Sequence, residues 1–478
     1  MLEHLNIGEF VPVEYAQYRS LIVEGLLVFV RHLPGHRQAD IFKSLRGVTH
    51  AATTAQQLLA VLHCSPALHK LGQVVARRRE LDPDLRRQLQ QLETLYPRTP
   101  AAPLISQIQT ALPHAKGTYR IEFSDCALAE GSVAIVVPFT WKDDDAIERE
   151  GVFKILKPGI VERVVEDCDA LRCALQSLES SAHKYALPIS TIRDAVTQAI
   201  EILESEIDPA GEQRHLCQAA AQMNRQAGVI VPALLPMCTP GITAMQRLRG
   251  KPMTGASDDP AARRRIAASA VRGLLAAAIS CPEESAIFHG DPHAGNLLAL
   301  DDNRVAAIDW SLAGQLTRSQ REALTQIVVG GASDDARRIA RGIKSLAIGT
   351  VDDDALSALV RRSLQAVRGF MPDMNWLIRL LDHAAQQGVS FDRNLLLLRK
   401  AFFTLEGVVS DVDQRVSVSH ILSTQTIEDL ISAWPGYFLT DPQWRDSATH
   451  VSMMDLLDIT ISLPLRWLRW WRSQAQNG

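Results

Sequence analysis

The sequence predicts an α+β fold with a helical extension at each end, on three observations. Strand-like runs gather in one short region, about 117–160. Helical periodicity fills most of the chain before and after it, and a strand-turn-strand segment near 297–308 follows a cluster of polar residues. These shifts place the boundaries: a helical extension over 1–115, a strand-bearing lobe with inserted helices over 116–246, a second lobe over 247–345, a helical extension over 346–455 and an amphipathic tail over 456–478.

Each element has a local cause. Leu21, Ile22, Leu26, Leu27, Val30 and Leu33 recur at helical spacing and stop at Pro34-Gly35; a second periodic run, about 51–96, stops at Tyr96-Pro97. Inside that run Lys70-Leu71-Gly72-Gln73 precedes Arg77, Arg78 and Arg79. A glycine in a helical pattern costs about 1 kcal/mol relative to alanine, so it marks a bend or a close approach. The β-prone runs are 119–123, 132–139 and 151–156, with Lys157-Pro158-Gly159 closing the third. Asp143, Asp144 and Asp145, between the second and third, read as a solvated loop, because adjacent aspartates rarely converge on one ion. Helices are expected over about 160–183 and 189–227, the latter interrupted at Pro209-Ala210-Gly211, so that Glu212 opens a fresh helix pointing at Lys154. Residues 228–248 read as paired strands, and Asp352, Asp353 and Asp354 as a helix start that complements the dipole.

Composition is that of an ordinary globular protein, with 46% hydrophobic and 22% charged residues. A net charge of −4 and 5% aromatic residues give no footprint for nucleic acid, so nucleic-acid binding is not expected. The seven cysteines form no Cys-x-x-Cys pair and read as reduced thiols. No basic, apolar N-terminal leader and no run of about 18 uncharged apolar residues is present, so a cytoplasmic location, peripheral on the inner membrane face at most, is expected.

The chemistry resides in His289-Gly290-Asp291-Pro292-His293-Ala294-Gly295-Asn296 and Asp309. Asp291 and Asn296 are five positions apart, as in the His-Arg-Asp-(x)4-Asn loop of protein kinases. Residues 297–300 read as a strand, Asp301-Asp302-Asn303 as the hairpin turn, and the apolar run from Val305 to Ile308 leads into Asp309. Phosphoryl transfer needs a carboxylate to orient the acceptor hydroxyl and further oxygens to hold Mg²⁺ on the phosphates. Asp291 suits the first task; Asn296 and Asp309 suit the second. Lys154, in Val-Phe-Lys-Ile-Leu, is the candidate phosphate-gripping lysine and needs a buried glutamate partner. Lys157, before Pro158, suits a solvated role. The paired strands of 228–248 end in the hinge at which adenine would meet the backbone, with Met245 as the candidate binding residue there.

With Lys70-Leu71-Gly72-Gln73, Lys154, Glu206-Ile207-Asp208, Glu212, the His-Gly-Asp loop and Asp309 in that order, the chain resembles the UbiB/ADCK family of atypical kinases, as an AarF-like bacterial member, over about 70–316. The Lys-x-Gly-Gln segment is the most discriminating part, because it lies outside the generic kinase core. The resemblance implies a protein-kinase-like bilobal fold with the helical extension folded over the active site. It implies that Lys70 and Gln73 meet Glu206 and Asp208, that Lys154 pairs with Glu212, that Asn296 and Asp309 hold Mg²⁺, and that Asp291 is catalytic. It also implies binding of ATP or ADP, ATPase behaviour, and support of ubiquinone or other isoprenoid-lipid metabolism, with a lipid or quinone precursor as a further ligand.

The phosphate loop departs from the family pattern. Ala129, Ser132 and Ala134 match its alanine-rich loop; Glu130, Ile135 and Val137 do not, and a Glu130 carboxylate near phosphates is repulsive unless it points outward. Ser311 stands where the family has glycine, which restricts the backbone there. Two other readings stay open: a small-molecule phosphotransferase of the aminoglycoside or choline kinase type, which shares the His-Gly-Asp-x-His-x-Gly-Asn and Ile-Asp-Trp segments, and a nucleotide-binding pseudokinase scaffold. In the tail, Trp467, Trp470 and Trp471 with Arg466, Arg469 and Arg472 suit either a peripheral membrane contact over 456–472 or packing on the protein's own surface.

Overall fold

The computed structural model describes residues 13–46, 59–60, 62–76, 87, 89, 100–112, 119–142, 147–181, 184, 189–223, 228–365, 367, 372–437, 441, 443 and 449–477. Much of the periodic run 51–96, including Arg77 to Arg79, and the acidic run 143–145 lie outside them. The described residues form two compact units, within Met1–Arg214 and Ala233–Arg247 for the first and within His215–Pro232 and Leu248–Gly478 for the second.

The first unit begins with α1 (Arg19–His32), α2 (Gly35–Arg46), α3 (Pro66–Ala76) and α4 (Ala101–Ala111). Strands β1 (Glu122–Phe123), β2 (Ala129–Glu130), β3 (Ala134–Lys142) and β4 (Glu148–Leu156) follow, then helices α5 (Ile160–Ser180), α6 (Ile189–Glu206) and α7 (Pro209–Met223), the last of which belongs to the first unit only as far as Arg214. The helical pattern over 189–227 breaks before Pro209, which occupies the first turn of α7, where a missing N–H costs nothing. Two short strands come next, β5 (Val229–Ile230) and β6 (Ile242–Gln246). They are not paired with each other, contrary to the expectation for 228–248. β6 joins β4 in the antiparallel sheet β1-β3-β4-β6, to which β2 adds as a hairpin partner of β3, whereas β5 belongs to a sheet of the second unit. The strand expected over 119–123 shortens to two residues because Arg120 takes a left-handed φ of 46°.

Alternation on β3 and β4 sends Ile135, Val137, Phe139, Phe153 and Ile155 into one core, closed by Leu104 and Ile108 of α4. Phe139 and Phe153 stack at 4.2 Å. A second core joins α1, α3, α5 and α6 through Phe29, Leu68, Val164 and Leu203.

The second unit contains β7 (Lys251–Pro252), α8 (Pro260–Val271), β8 (Ser285–His289), β9 (Leu297–Ala299), β10 (Val305–Ala307) and β11 (Ala313–Thr317). The helical remainder is α9 (Arg318–Ser333), α10 (Ala336–Leu346), α11 (Asp353–Gln365), α12 (Met374–Gln386), α13 (Arg393–Val412), α14 (Val418–Tyr437) and α15 (Met453–Asn477). The sheet order is β5-β10-β9-β7, and β8 pairs separately with β11. The hairpin expected at Asp301-Asp302-Asn303 joins β9 to β10, with Asn303 in the left-handed region at φ 63°. Asp352 accepts the N–H groups of Asp354 and Ala355 at the start of α11, as the acidic cluster there predicts. Among the described residues no helix is long and apolar enough to cross a membrane.

Candidate functional site

In the first unit, strand alternation turns Lys154 of β4 to one face of the sheet, and α7 offers Glu212 from its first turn. Lys154 Nζ and Glu212 Oε1 lie 2.6 Å apart, with 13% and 4% of their side chains exposed. Water is largely excluded, so the pair holds the ammonium far more firmly than a surface ion pair would.

A second ion pair joins distant segments. Lys70 Nζ of α3 reaches Glu206 Oε1 at 2.5 Å, and Ser132 Oγ donates to Glu206 Oε2 at 3.2 Å. The last turn of α6 therefore ties the Lys-x-Gly-Gln helix to the β2–β3 hairpin. Asp208 does not join this pair: its side chain accepts the Gly211 N–H at 2.9 Å and lies 3.6 Å from Arg214, so it caps α7 instead. Gln73 lies 3.2 Å from His69 Nε2, one turn back along α3.

The residues expected to form a phosphate loop occupy a tight hairpin. Ala129 pairs with Val136, Ala134 with Leu156, and the Gly131 N–H donates to the Ala134 carbonyl at 2.8 Å. Glu130 is neutralised by Lys157 at 2.7 Å. This corrects two expectations together: Lys157 is not merely solvated, and Glu130 does not present a bare negative charge. Met245 is buried, opposite Val152 of β4. The flanking Ala244 carbonyl and Gln246 N–H bond to Leu235 and Ala233, so the backbone around Met245 is already engaged in pairing.

Asp167 of α5, which the sequence did not single out, fixes the position of α3. It is fully buried, meets Arg37 at 2.8 Å, accepts from Ser65 Oγ at 2.6 Å and accepts the Ala67 N–H at 3.2 Å. Burial pushes its carboxyl pKa up, against the Ser65 hydrogen bond and the Arg37 guanidinium. The sequence signal was present only in part, as Ser65-Pro66 at a helix start.

In the second unit, β8 delivers His289 and β9–β10 bring Asn296 and Asp309 to the same end of a hairpin. Leu297 pairs with Ala307, and the Asn296 carbonyl accepts the Ile308 N–H at 3.1 Å. His289 is buried and its Nδ1 accepts the Asp291 N–H at 3.1 Å, which aligns the loop. Burial pushes its pKa down, against the pull of Asp291 and Asp309, and the ring acts as a structural post whose centroid lies 4.8 Å from that of Trp310, tilted by 58°. Asn296 Nδ2 donates to the Asp291 carbonyl at 3.2 Å, which directs its amide oxygen away from that contact. Asp309 Oδ1 accepts the Ser311 N–H at 3.0 Å. Ser311 has an ordinary negative φ, so a glycine's conformational freedom is not needed there. An amide oxygen and a carboxylate on adjacent strand ends are hard oxygen donors of the kind Mg²⁺ accepts.

Gly290 gives the loop its close packing. A Cβ there would come within 2.9 Å of the Leu312 carbonyl and of Leu397 Cδ2 on α13. Lys400, also on α13 and also missed by the sequence reading, lies 3.4 Å from Asp291 Oδ1, and His293 Nε2 lies 4.0 Å from Oδ2.

Residues 92–343 match the ABC1 atypical kinase-like domain, a little over half of the chain. Curated relatives carry the name Probable protein kinase UbiB. The one from Haemophilus ducreyi is 24% identical over 365 residues, 73% of this chain and 66% of that protein. The one from Xanthomonas axonopodis pv. citri is 26% identical over 386 residues, 76% of this chain and 68% of that protein. The one from Pasteurella multocida is 24% identical over 296 residues, 59% of this chain and 55% of that protein. The chain thus spans less than two thirds of the Haemophilus and Pasteurella proteins. A solved chain from Mycobacterium tuberculosis, from the complex of Rv3197 with erythromycin, is 18% identical with a TM-score of 0.43, covering 77% of this chain and 94% of that one, too low a likeness to carry an argument. The long domain match, over a kinase-like α+β chain, establishes that the protein belongs to the UbiB/ABC1 family of atypical kinases.

Proposed function

We propose that this chain binds ATP and ADP with Mg²⁺, hydrolyses ATP slowly and supports isoprenoid-lipid metabolism of the ubiquinone type without phosphorylating proteins. The observation that carries the reading is the Glu206 carboxylate, which engages Lys70 of the Lys-x-Gly-Gln helix and Ser132 of the β2–β3 hairpin together. A helix bonded to a phosphate-loop residue leaves little room above that loop for a folded protein substrate. Lys154, held by Glu212, would grip the phosphates. Asn296 and Asp309 would hold Mg²⁺, which when bound neutralises phosphate charge. Asp291 would orient the attacking oxygen. The names of the relatives and the isoprenoid-lipid role that the resemblance implies supply the pathway in this reading.

A peripheral membrane contact through α15 is part of the same proposal. Met454, Leu457, Ile461 and Trp467 recur along that helix and stand exposed, at 43%, 47%, 75% and 53%. An exposed apolar stripe followed by arginines suits an anionic lipid surface.

Thermal melting with nucleotide tests the core of the proposal. At about 100 times its dissociation constant, Mg·ATP or Mg·ADP should stabilise the protein by roughly 2.7 kcal/mol. The Mg²⁺-dependent part of that shift should vanish in Asp309→Asn. A melting temperature indifferent to every nucleotide tried would refute the reading.

A further inference from the structure

Phosphoryl transfer needs positive charge and fixed geometry at the catalytic loop. The loop from His289 to Asn296 contains no lysine or arginine of its own. Its cation comes from far downstream: Lys400 Nζ of α13 lies 3.4 Å from Asp291 Oδ1, with only 14% and 8% of the two side chains exposed.

The register of α13 makes this contact specific. Leu397, three residues before Lys400 and therefore on the same helix face, packs where a Gly290 side chain would stand. The N-terminus of α13 is tied by Asn394, which accepts the Gln315 N–H at 3.1 Å, and by Asp392, which caps the helix and accepts from Gln320 at 3.2 Å. A buried ammonium and carboxylate pay much of their attraction back in lost hydration, so the pair adds little to stability. Its main physical effect is to orient the carboxylate.

We propose that Lys400 is a positioning residue for phosphoryl transfer, delivered by the C-terminal helical extension to hold Asp291. The inference rests on the nucleotide reading above. In ATP hydrolysis a water oxygen bonds to the γ-phosphorus as the bond to the β,γ-bridging oxygen breaks. The electron pair leaves with ADP, and the proton released by the water passes to the Asp291 carboxylate and then to solvent. Lys400 fixes the carboxylate that takes this proton.

Steady-state ATP hydrolysis by the full chain provides the test. Lys400→Met should lower kcat by roughly 100-fold, the size of loss a misplaced catalytic group produces, while KM for Mg·ATP and the nucleotide-induced melting shift stay unchanged. Lys400→Arg should recover much of the rate, and it also serves if the methionine variant does not fold. Adding Lys400→Met to Asp291→Asn should cost nothing further. Unchanged kcat in folded Lys400→Met, additive losses in the double variant, or a rise in KM alone would overturn the role of Lys400 and leave the nucleotide reading intact. Wild-type protein that neither turns over ATP nor melts higher with it would overturn both.

Discussion

At the scale of single residues, charge buried beside charge decides most of what is specific to this chain. His450 illustrates the direction of such effects. It is buried, its Nε2 accepts from Arg321 Nε at 3.3 Å, and Arg321 is itself buried and also bonded to the Leu316 and Glu283 carbonyls. Burial, with the neighbouring Arg321 and Arg318 charges, pushes the His450 pKa down to about 4. The folded state therefore holds His450 neutral, while the unfolded chain takes up a proton below about pH 6.5. Stability from this residue is complete above that value and drains away as pH falls toward 4, a loss on the order of 3 kcal/mol. Denaturant melts at pH 7.5, 6 and 4.5 should show a steeper decline for wild type than for His450→Gln, whose amide oxygen can still accept from Arg321. Parallel declines would show that this histidine does not set the slope.

At the scale of elements, local sequence carried the hairpin of β9 and β10 because turn residues and apolar runs act on their neighbours. Lys154 and Glu212 were legible for a related reason: one sits in a β-prone run and the other just after a Pro break. Asp167 and Lys400 were not. An acid or a lysine within a helical pattern looks the same whether its face meets water or a buried partner, and nothing local records a partner more than a hundred residues away. The role of Asp208 was likewise hidden, since capping and pairing both favour aspartate at a helix start. Gly314 of β11 pairs with Phe288 of β8, and a Cβ there would lie 2.2 Å from the buried Phe288 ring. Gly314→Ala should destabilise by about 1–3 kcal/mol through overpacking. Phe288→Leu in the same chain should recover part of that loss; a double variant no more stable than Gly314→Ala would place the strain elsewhere.

At the scale of the whole molecule, the tail carries packed polar residues and exposed apolar ones with separable effects. Arg338 of α10 bonds Asp455 at 3.0 Å and Asp458 at 2.6 Å, and Ser462 donates to the Ala332 carbonyl, so the first turns of α15 are part of the second unit. Packing on the protein's own surface is therefore seen at Asp458 and Ser462, while the membrane contact of the exposed apolar side chains stands as proposed. Leu457→Asp with Ile461→Asp should abolish co-sedimentation with anionic vesicles while leaving the melting temperature within a degree or two, because both side chains are exposed. Undiminished vesicle binding would remove α15 as the anchor. Arg338→Ala should do the reverse, lowering stability while the apolar face is still present.

The contact of Leu397 with Gly290 bears on where this polypeptide can be divided. The match to the domain family ends at residue 343, yet the glycine of the His-Gly-Asp loop is packed by a side chain well beyond that limit. A fragment cut near 345 would retain every motif by which such chains are recognised and would still lack one wall of the loop that bears Asp291. The span of a domain match and the length needed to complete the machinery are separate measures, and in this protein the second is the longer.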